Sequence, residues 1–303
     1  VPLVEGKVAV RAAATHRQRE GFVDNLAGGD ALGGVNVDAW RIAAAIAPNE
    51  RIRFDLIFNQ HVDTNAGTAF KSGTWAPAGG TLSPFTAASL TRSATGFEGG
   101  EEIGLHRKVQ TATLLGSWAF DEALTLTSIT GLRRFESREI FDADGSELPL
   151  IIAAEDAEGN QTSQEFRLAF DDGGPVSGFV GVSYFEEDGS QSSPTQYDER
   201  YALAFATGTI LGPNAPSLAQ VQAIDLAYLT GLTGNAMVAQ ALYAQLDPLH
   251  GEYFQNQGET ASWDFFADAT WKVSDAFEIT AGLRYTSDDK TSRFVSGNAG
   301  TSS

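Results

Sequence analysis

Ser262 to Tyr285 reads SWDFFADATWKVSDAFEITAGLRY, and its alternation decides the fold. In the first half Trp263, Phe265, Ala267, Ala269, Trp271 and Val273 share one parity, while Asp264, Asp268, Thr270 and Lys272 fill most of the other. After Ser274-Asp275 the pattern resumes, with Phe277, Ile279, Ala281, Leu283 and Tyr285 set against Glu278, Thr280, Gly282 and Arg284. Successive side chains of a strand point to opposite faces, so each half is a strand with one apolar and one polar face, and the pair is a hairpin. Phe277 and Tyr285 stand eight residues apart. At about 3.3 Å per residue and a tilt of about 40°, they bracket an apolar band on the order of 20 Å tall.

The same unit occurs four times, the others being Trp40 to Phe58, Ala112 to Phe135 and Ser163 to Phe185. Their turns fall at Pro48-Asn49-Glu50, Asp121-Glu122, Asp171 to Val176 and Ser274-Asp275, where Pro, Gly, Asn, Asp and Ser favour tight reversals. The segments between hairpins are much longer: 21–36, 63–102, 142–160 and 189–259. Short and long connections therefore alternate strictly. In a soluble sandwich both strand ends meet the same water, and nothing gathers the long loops at one end. A barrel in an outer membrane has short turns on one side and long loops on the other.

The expectation is thus an all-β, antiparallel, up-and-down transmembrane barrel portion of about nine strands between Lys7 and Arg293, with residues 1–303 in one domain and no plug domain. No run of 18 apolar residues occurs, so any membrane crossing is by strands. The absence of cysteine rules out a disulfide scaffold and a thiolate metal site. A formal net charge of -19 excludes a nucleic-acid partner, whose phosphates call for a basic face. The acidic runs Asp142-Ala143-Asp144, Glu155 to Glu158, Glu186-Glu187-Asp188 and Asp288-Asp289 read as solvated loop surface.

Motifs for other chemistry are incomplete. Asp142-Ala143-Asp144-Gly145 resembles the start of a calcium loop but lacks the remaining ligands. His16, His61, His106 and His250 are scattered, without metal-ligand spacing. No nucleophile elbow, phosphate loop or dinucleotide fingerprint is present, and carboxylates for a glycosidase cannot be paired from sequence. No catalytic, cofactor or metal residue is assigned, and no enzyme activity is expected. Within the longest segment Ser217 can cap a helix carrying Leu218, Val221, Ile224 and Tyr228, with a second helix from Asn235 to Leu246 before Pro248. Phe70, Lys71 and Trp75 are candidate ligand contacts in another long segment.

Leu124 to Gly145 (LTLTSITGLRRFESREIFDADG), Ser163 to Phe170 (SQEFRLAF) and Phe277 to Lys290 (FEITAGLRYTSDDK), with the opening Val1 to Gly21, resemble the barrel of TonB-dependent outer-membrane receptors. The resemblance implies a barrel of about 22 strands, closed by an N-terminal plug and importing iron chelates, cobalamin or glycans with energy from the TonB complex. On that comparison the chain is a fragment, matching roughly the third to the eleventh strand, with the plug and the C-terminal strands missing. The implied partners are outer-membrane lipid and lipopolysaccharide, a small-molecule or glycan ligand, and TonB through N-terminal parts. The implied location is a Gram-negative outer membrane. By face parity, Arg53, Asp55, Asp268, Lys272, Glu278 and Arg284 are candidate lumen-facing residues, and Trp263, Trp271, Phe277 and Tyr285 a candidate lipid-facing girdle. Two alternatives stand beside this: a passive porin-like channel, and a secreted carbohydrate-binding β-sandwich.

Overall fold

The computed structural model describes residues 1–25, 30–70, 88–89, 103–145, 148, 150–209 and 216–298. Its frame is one antiparallel sheet of ten strands, each paired to its neighbour in chain order. The strands are β1 (Pro2–Val4), β2 (Val8–Arg19), β3 (Val35–Asn49), β4 (Ile52–Asn65), β5 (Gly104–Ala119), β6 (Leu124–Asp142), β7 (Ile152–Asp171), β8 (Val176–Tyr197), β9 (His250–Ser274) and β10 (Phe277–Asn298). The nine long strands expected from the alternation are β2 to β10, and the three-residue β1 adds a tenth. The up-and-down topology follows the sequence reading, with every short turn at one edge. Asp121 shows how such a turn closes: its carboxylate accepts from the Ala123 and Leu124 N–H groups at 2.9 and 2.8 Å.

The strands run further into the long segments than the alternation does. Residues 142–160 and 189–259 read as loops, yet β7 begins at Ile152, β8 continues to Tyr197 and β9 starts at His250. In these extensions Gly189 pairs with Gly258 and Ser190 with Gln257. Where both faces meet water the apolar alternation disappears, while the backbone ladder that needs no side-chain pattern persists.

Pairing register separates the faces. Asp55, Leu115, Ile129, Glu165, Ser183, Asp264 and Thr286 lie opposite one another in a single transverse row. Strand parity then puts Arg53, Asp268, Lys272, Glu278 and Arg284 on the same charged face. Trp263, Trp271, Phe277 and Tyr285 lie on the opposite, apolar one. That apolar face is uncovered: Trp271 is 52% exposed and Leu283 72%. Among the described residues, the buried apolar ones are few and lie near the long-loop end or in the helices, as with Ile140, Ala154 and Val221. A sheet whose large apolar residues point outward and whose interior is nearly coreless requires an apolar solvent.

The apolar band also slants across the strands. Trp40 stacks on Phe58 at 5.1 Å, and Tyr184 on Trp263 at 4.7 Å. The row through Trp40 passes Gln60, Gln110, Arg134, Asn160, Asp188 and Glu259 to reach Thr291. On β10 the aromatic edge has dropped to Tyr285, six residues (291 − 285) nearer the short turns, after seven strand steps. Six residues of about 3.3 Å against seven spacings of about 4.8 Å give a slant of about 30°, close to the strand tilt of a closed barrel.

Among the described residues, the segment between β8 and β9 holds three helices, α1 (Glu199–Ala206), α2 (Leu218–Thr233) and α3 (Ala236–Tyr243). The expected capping by Ser217 is a full capping box with Gln220, and Asn235 caps α3. The first helix, α1, was not expected; Asp198 caps it by accepting from the Arg200 N–H at 2.9 Å. The insert is pinned where it leaves the sheet. Glu199 accepts from the Asp247 N–H at 2.7 Å and meets the His250 ring at 2.8 Å, while that ring packs on Tyr197 at 4.8 Å.

Candidate functional site

The charged face carries two adjacent rows of opposite sign. One contains Arg53, Ser117, Thr127, Arg167, Gly181, Phe266 and Arg284, and the next, nearer the long loops, contains Asp55, Glu165 and Asp264. Each arginine therefore has a carboxylate about one pleat away. Arg53 forms a two-point pair with Asp55 at 2.7 and 2.8 Å. Arg284 donates to Asp264 at 2.9 Å through Nε and lies 2.8 Å from it through Nη2. Asp264 also accepts from Ser183 at 3.0 Å and from Thr286.

Aromatic rings join the arginines across the strands. The Arg167 guanidinium sits 3.5 Å from the Phe179 ring centre, Phe179 meets Phe266 edge-on at 6.1 Å, and Arg284 lies 5.7 Å from Phe266. Such ring and guanidinium stacks hold the planar groups of both in place. Gly181 makes room for this. A Cβ there would stand 2.3 Å from the Phe266 ring. Above the rows a cavity of about 530 Å³ is lined by Asp264, Arg284, Thr286, Ser183, Ser262 and Lys290 among others. This wall can hydrogen-bond and pair with a polar solute at many points without a fixed catalytic geometry.

The six expected lumen residues thus share one face but do not converge. Arg53 and Asp55 pair with each other; Lys272 stands opposite Glu278; Arg284 engages Asp264 rather than Asp268. Asp264, Glu165 and Arg167 were absent from the assignment, because their importance lies in register between strands and not in any one strand's pattern. The calcium-like run is occupied with its own loop, the Asp142 carboxylate accepting from the Asp144 and Gly145 N–H groups at 3.2 Å each. Among the described residues, no three His, Cys, Asp or Glu side chains gather to hold a metal ion. His16 lies beside Asp38, and His250 sits at the base of the insert. Phe70 stacks on Phe141 at 5.3 Å, whereas Lys71 and Trp75 lie outside the described residues.

Comparison with known proteins meets this geometry directly. The family profile described as "TonB dependent receptor-like, beta-barrel" matches residues 48–303. The chain belongs to the TonB-dependent receptor barrel family. Members are outer-membrane proteins of Gram-negative bacteria, a family of receptors and transporters and not of enzymes. The ferric yersiniabactin uptake receptor FyuA of Yersinia pestis is similar in structure, with a TM-score of 0.62 at 14% identity, covering 99% of this chain and 37% of its own. The ferric preacinetobactin receptor BauA of Acinetobacter baumannii gives a TM-score of 0.47 at 11% identity, covering 97% of this chain and 39% of its own. The chain therefore spans a little over a third of these TonB-dependent receptors. No curated protein matches it.

Proposed function

We propose that the chain forms part of the barrel wall of a receptor that actively imports a scarce nutrient across the outer membrane. The apolar face, with Trp263, Trp271, Phe277 and Tyr285 at its edges, meets lipid and lipopolysaccharide. The charged face, with Arg53, Asp55, Asp268, Lys272, Glu278 and Arg284, lines the lumen. The observation that carries the reading is the paired arginine and carboxylate rows on the face opposite the apolar band, within a chain of this family. Ligand is captured by the long loops and passes along the polar wall, and the TonB complex supplies energy through N-terminal parts of the parent.

Among the candidate cargoes an iron chelate leads, in keeping with FyuA, the ferric yersiniabactin receptor, ahead of cobalamin and glycans. Deleting the parent gene and following ⁵⁵Fe presented as chelates from iron-starved culture medium tests this. Expected is loss of an uptake that a protonophore also abolishes in the wild type. Unchanged ⁵⁵Fe uptake in the deletion strain would overturn the iron-chelate reading. Reduced entry of small sugars, insensitive to the protonophore, would favour the passive porin instead.

A further inference from the structure

The three helices of the insert close around a carboxylate that has no hydrogen-bond partner among the described residues. Asp225 of α2 is 0% exposed, and among the described residues neither of its oxygens finds a hydrogen-bond donor. The other buried positions of the three helices are Ala204, Val221, Ala239 and Tyr243, three of them aliphatic. The charged and titratable groups acting on Asp225 are Asp198 and Arg200 at the start of α1 and Tyr243 on α3. Arg200 does not answer it. Its guanidinium is committed to Asp198, donating through Nε at 2.9 Å and Nη2 at 2.6 Å, and Asp198 is itself only 3% exposed.

A buried carboxylate without a partner is disfavoured in its charged form. Burial, reinforced by the negative Asp198 and partly offset by Arg200, pushes the Asp225 carboxyl up from 3.8 to about 6. A metal ion is a poor partner for Asp225, because no third ligand stands with Asp225 and Asp198 among the described residues. A proton needs no further ligand.

We propose that Asp225 is a proton-binding site that makes the packing of the helical insert pH-dependent, sealing α2 against α1 and α3 when protonated and loosening it when ionised. In a loosened insert the carboxyl is hydrated and returns to its ordinary range near 3.8. Between about pH 4 and 6 the packed insert holds a proton that the loosened one has lost. Packing therefore weakens as pH rises through that window and is flat above it. If the long loops face outward as read above, acidification tightens a lid at the receptor mouth. The chemistry of the switch does not depend on that reading.

Amide hydrogen exchange on the full-length receptor in detergent, at pH 5 and pH 7 and normalised for intrinsic exchange, tests the idea. With carboxyl values of about 6 packed and about 4 loosened, α2 should be about tenfold better protected at pH 5 than at pH 7. Residues 163–185 of the sheet serve as the unchanging reference. Asp225→Asn should abolish the pH dependence and keep α2 protected at pH 7, while Asp225→Glu should retain a titration. Equal wild-type protection at the two pH values overturns the proposal, as does an unaltered pH dependence in Asp225→Asn. If Asp225→Asn fails to fold, the wild-type pH series decides alone: a transition centred between pH 4 and 6 confined to 199–246 supports the site, and one shared with the reference strands refutes it. Iron uptake is not read here, so failure of the transport assignment leaves this result intact.

Discussion

The lower half of the β9–β10 hairpin and the helical insert solve opposite problems with the same amino acids. In the hairpin the large apolar side chains stand outward, Leu283 at 72% and Phe277 at 57% exposure, while Asp264 on the other face is 7% exposed among its donors. In the insert Val221 and Ala239 are fully buried, and the polar groups of α2 mostly face out, with Asp225 as the exception. The hairpin gathers its apolar surface on one face, whereas the insert buries only part of its own, leaving Leu232 66% and Met237 83% exposed. On the proposed reading the second solvent differs: hydrocarbon around the hairpin, the protein's own interior in the insert. On that reading the hairpin's fold depends on the membrane, and the insert's on contacts among α1, α2 and α3.

Placing a charge on the hairpin's outer face should break that difference most severely. Ala281 lies midway between Phe277 and Tyr285 and directly opposite Ala269. Ala281→Arg should destabilise the full-length receptor by about 2 to 4 kcal/mol in bilayers. Arginine at Gly282, on the charged face one residue away, should cost clearly less. Urea unfolding in lipid vesicles measures both, and equal costs would dissolve the distinction between the faces. In the insert the corresponding break is Asp198→Ala. It removes the α1 cap and strands Arg200, costing about 2 kcal/mol of local stability. Exchange at α1 and α2 should rise while the urea midpoint of the barrel stays put.

The hairpin was legible because each strand announces its faces through its own alternation; Trp263 to Val273 needs no other strand to be read. The paired rows were not. Arg53, Arg167 and Arg284 come from strands far apart in sequence, and only the register sets them in one line. Helix α2 was visible through Ser217, a capping residue by chemistry, and α3 through the apolar run that ends before Pro248. Helix α1 was hidden because eight residues, ERYALAFA, carry too few turns to show a period. Asp225 drew no reading from the sequence, because burial by two neighbouring helices is not written in α2 alone.

A subtler test within the sheet is Gly181→Ala. The added methyl must displace the Phe266 ring, which it would otherwise approach to 2.3 Å. Overpacking of this kind costs about 1 to 2 kcal/mol and should separate Phe266 from Arg284 on the charged face. The same change at Gly258, where a Cβ meets nothing within 4 Å, should cost less than Gly181→Ala in the same urea titration. Similar costs at both would mean that the seat under Phe266 is irrelevant to the wall.

The smallest expected effect separates the two ways in which the insert holds together. Ser217 Oγ accepts from the Gln220 N–H at 3.4 Å, and Gln220 Oε1 accepts from the Ser217 N–H at 2.9 Å. Ser217→Ala leaves the N–H groups at the start of α2 without that acceptor and should cost about 1 kcal/mol, roughly fivefold in exchange protection across the helix's first turns. A hydroxyl does not titrate in this range, so the loss should be the same at pH 5 and pH 7, and it should add to the wild-type pH effect without reshaping it. A pH-dependent loss in Ser217→Ala would mean that the cap and Asp225 act as one cooperative unit. The insert would then be a single switch, and not a capped helix resting on a buried acid.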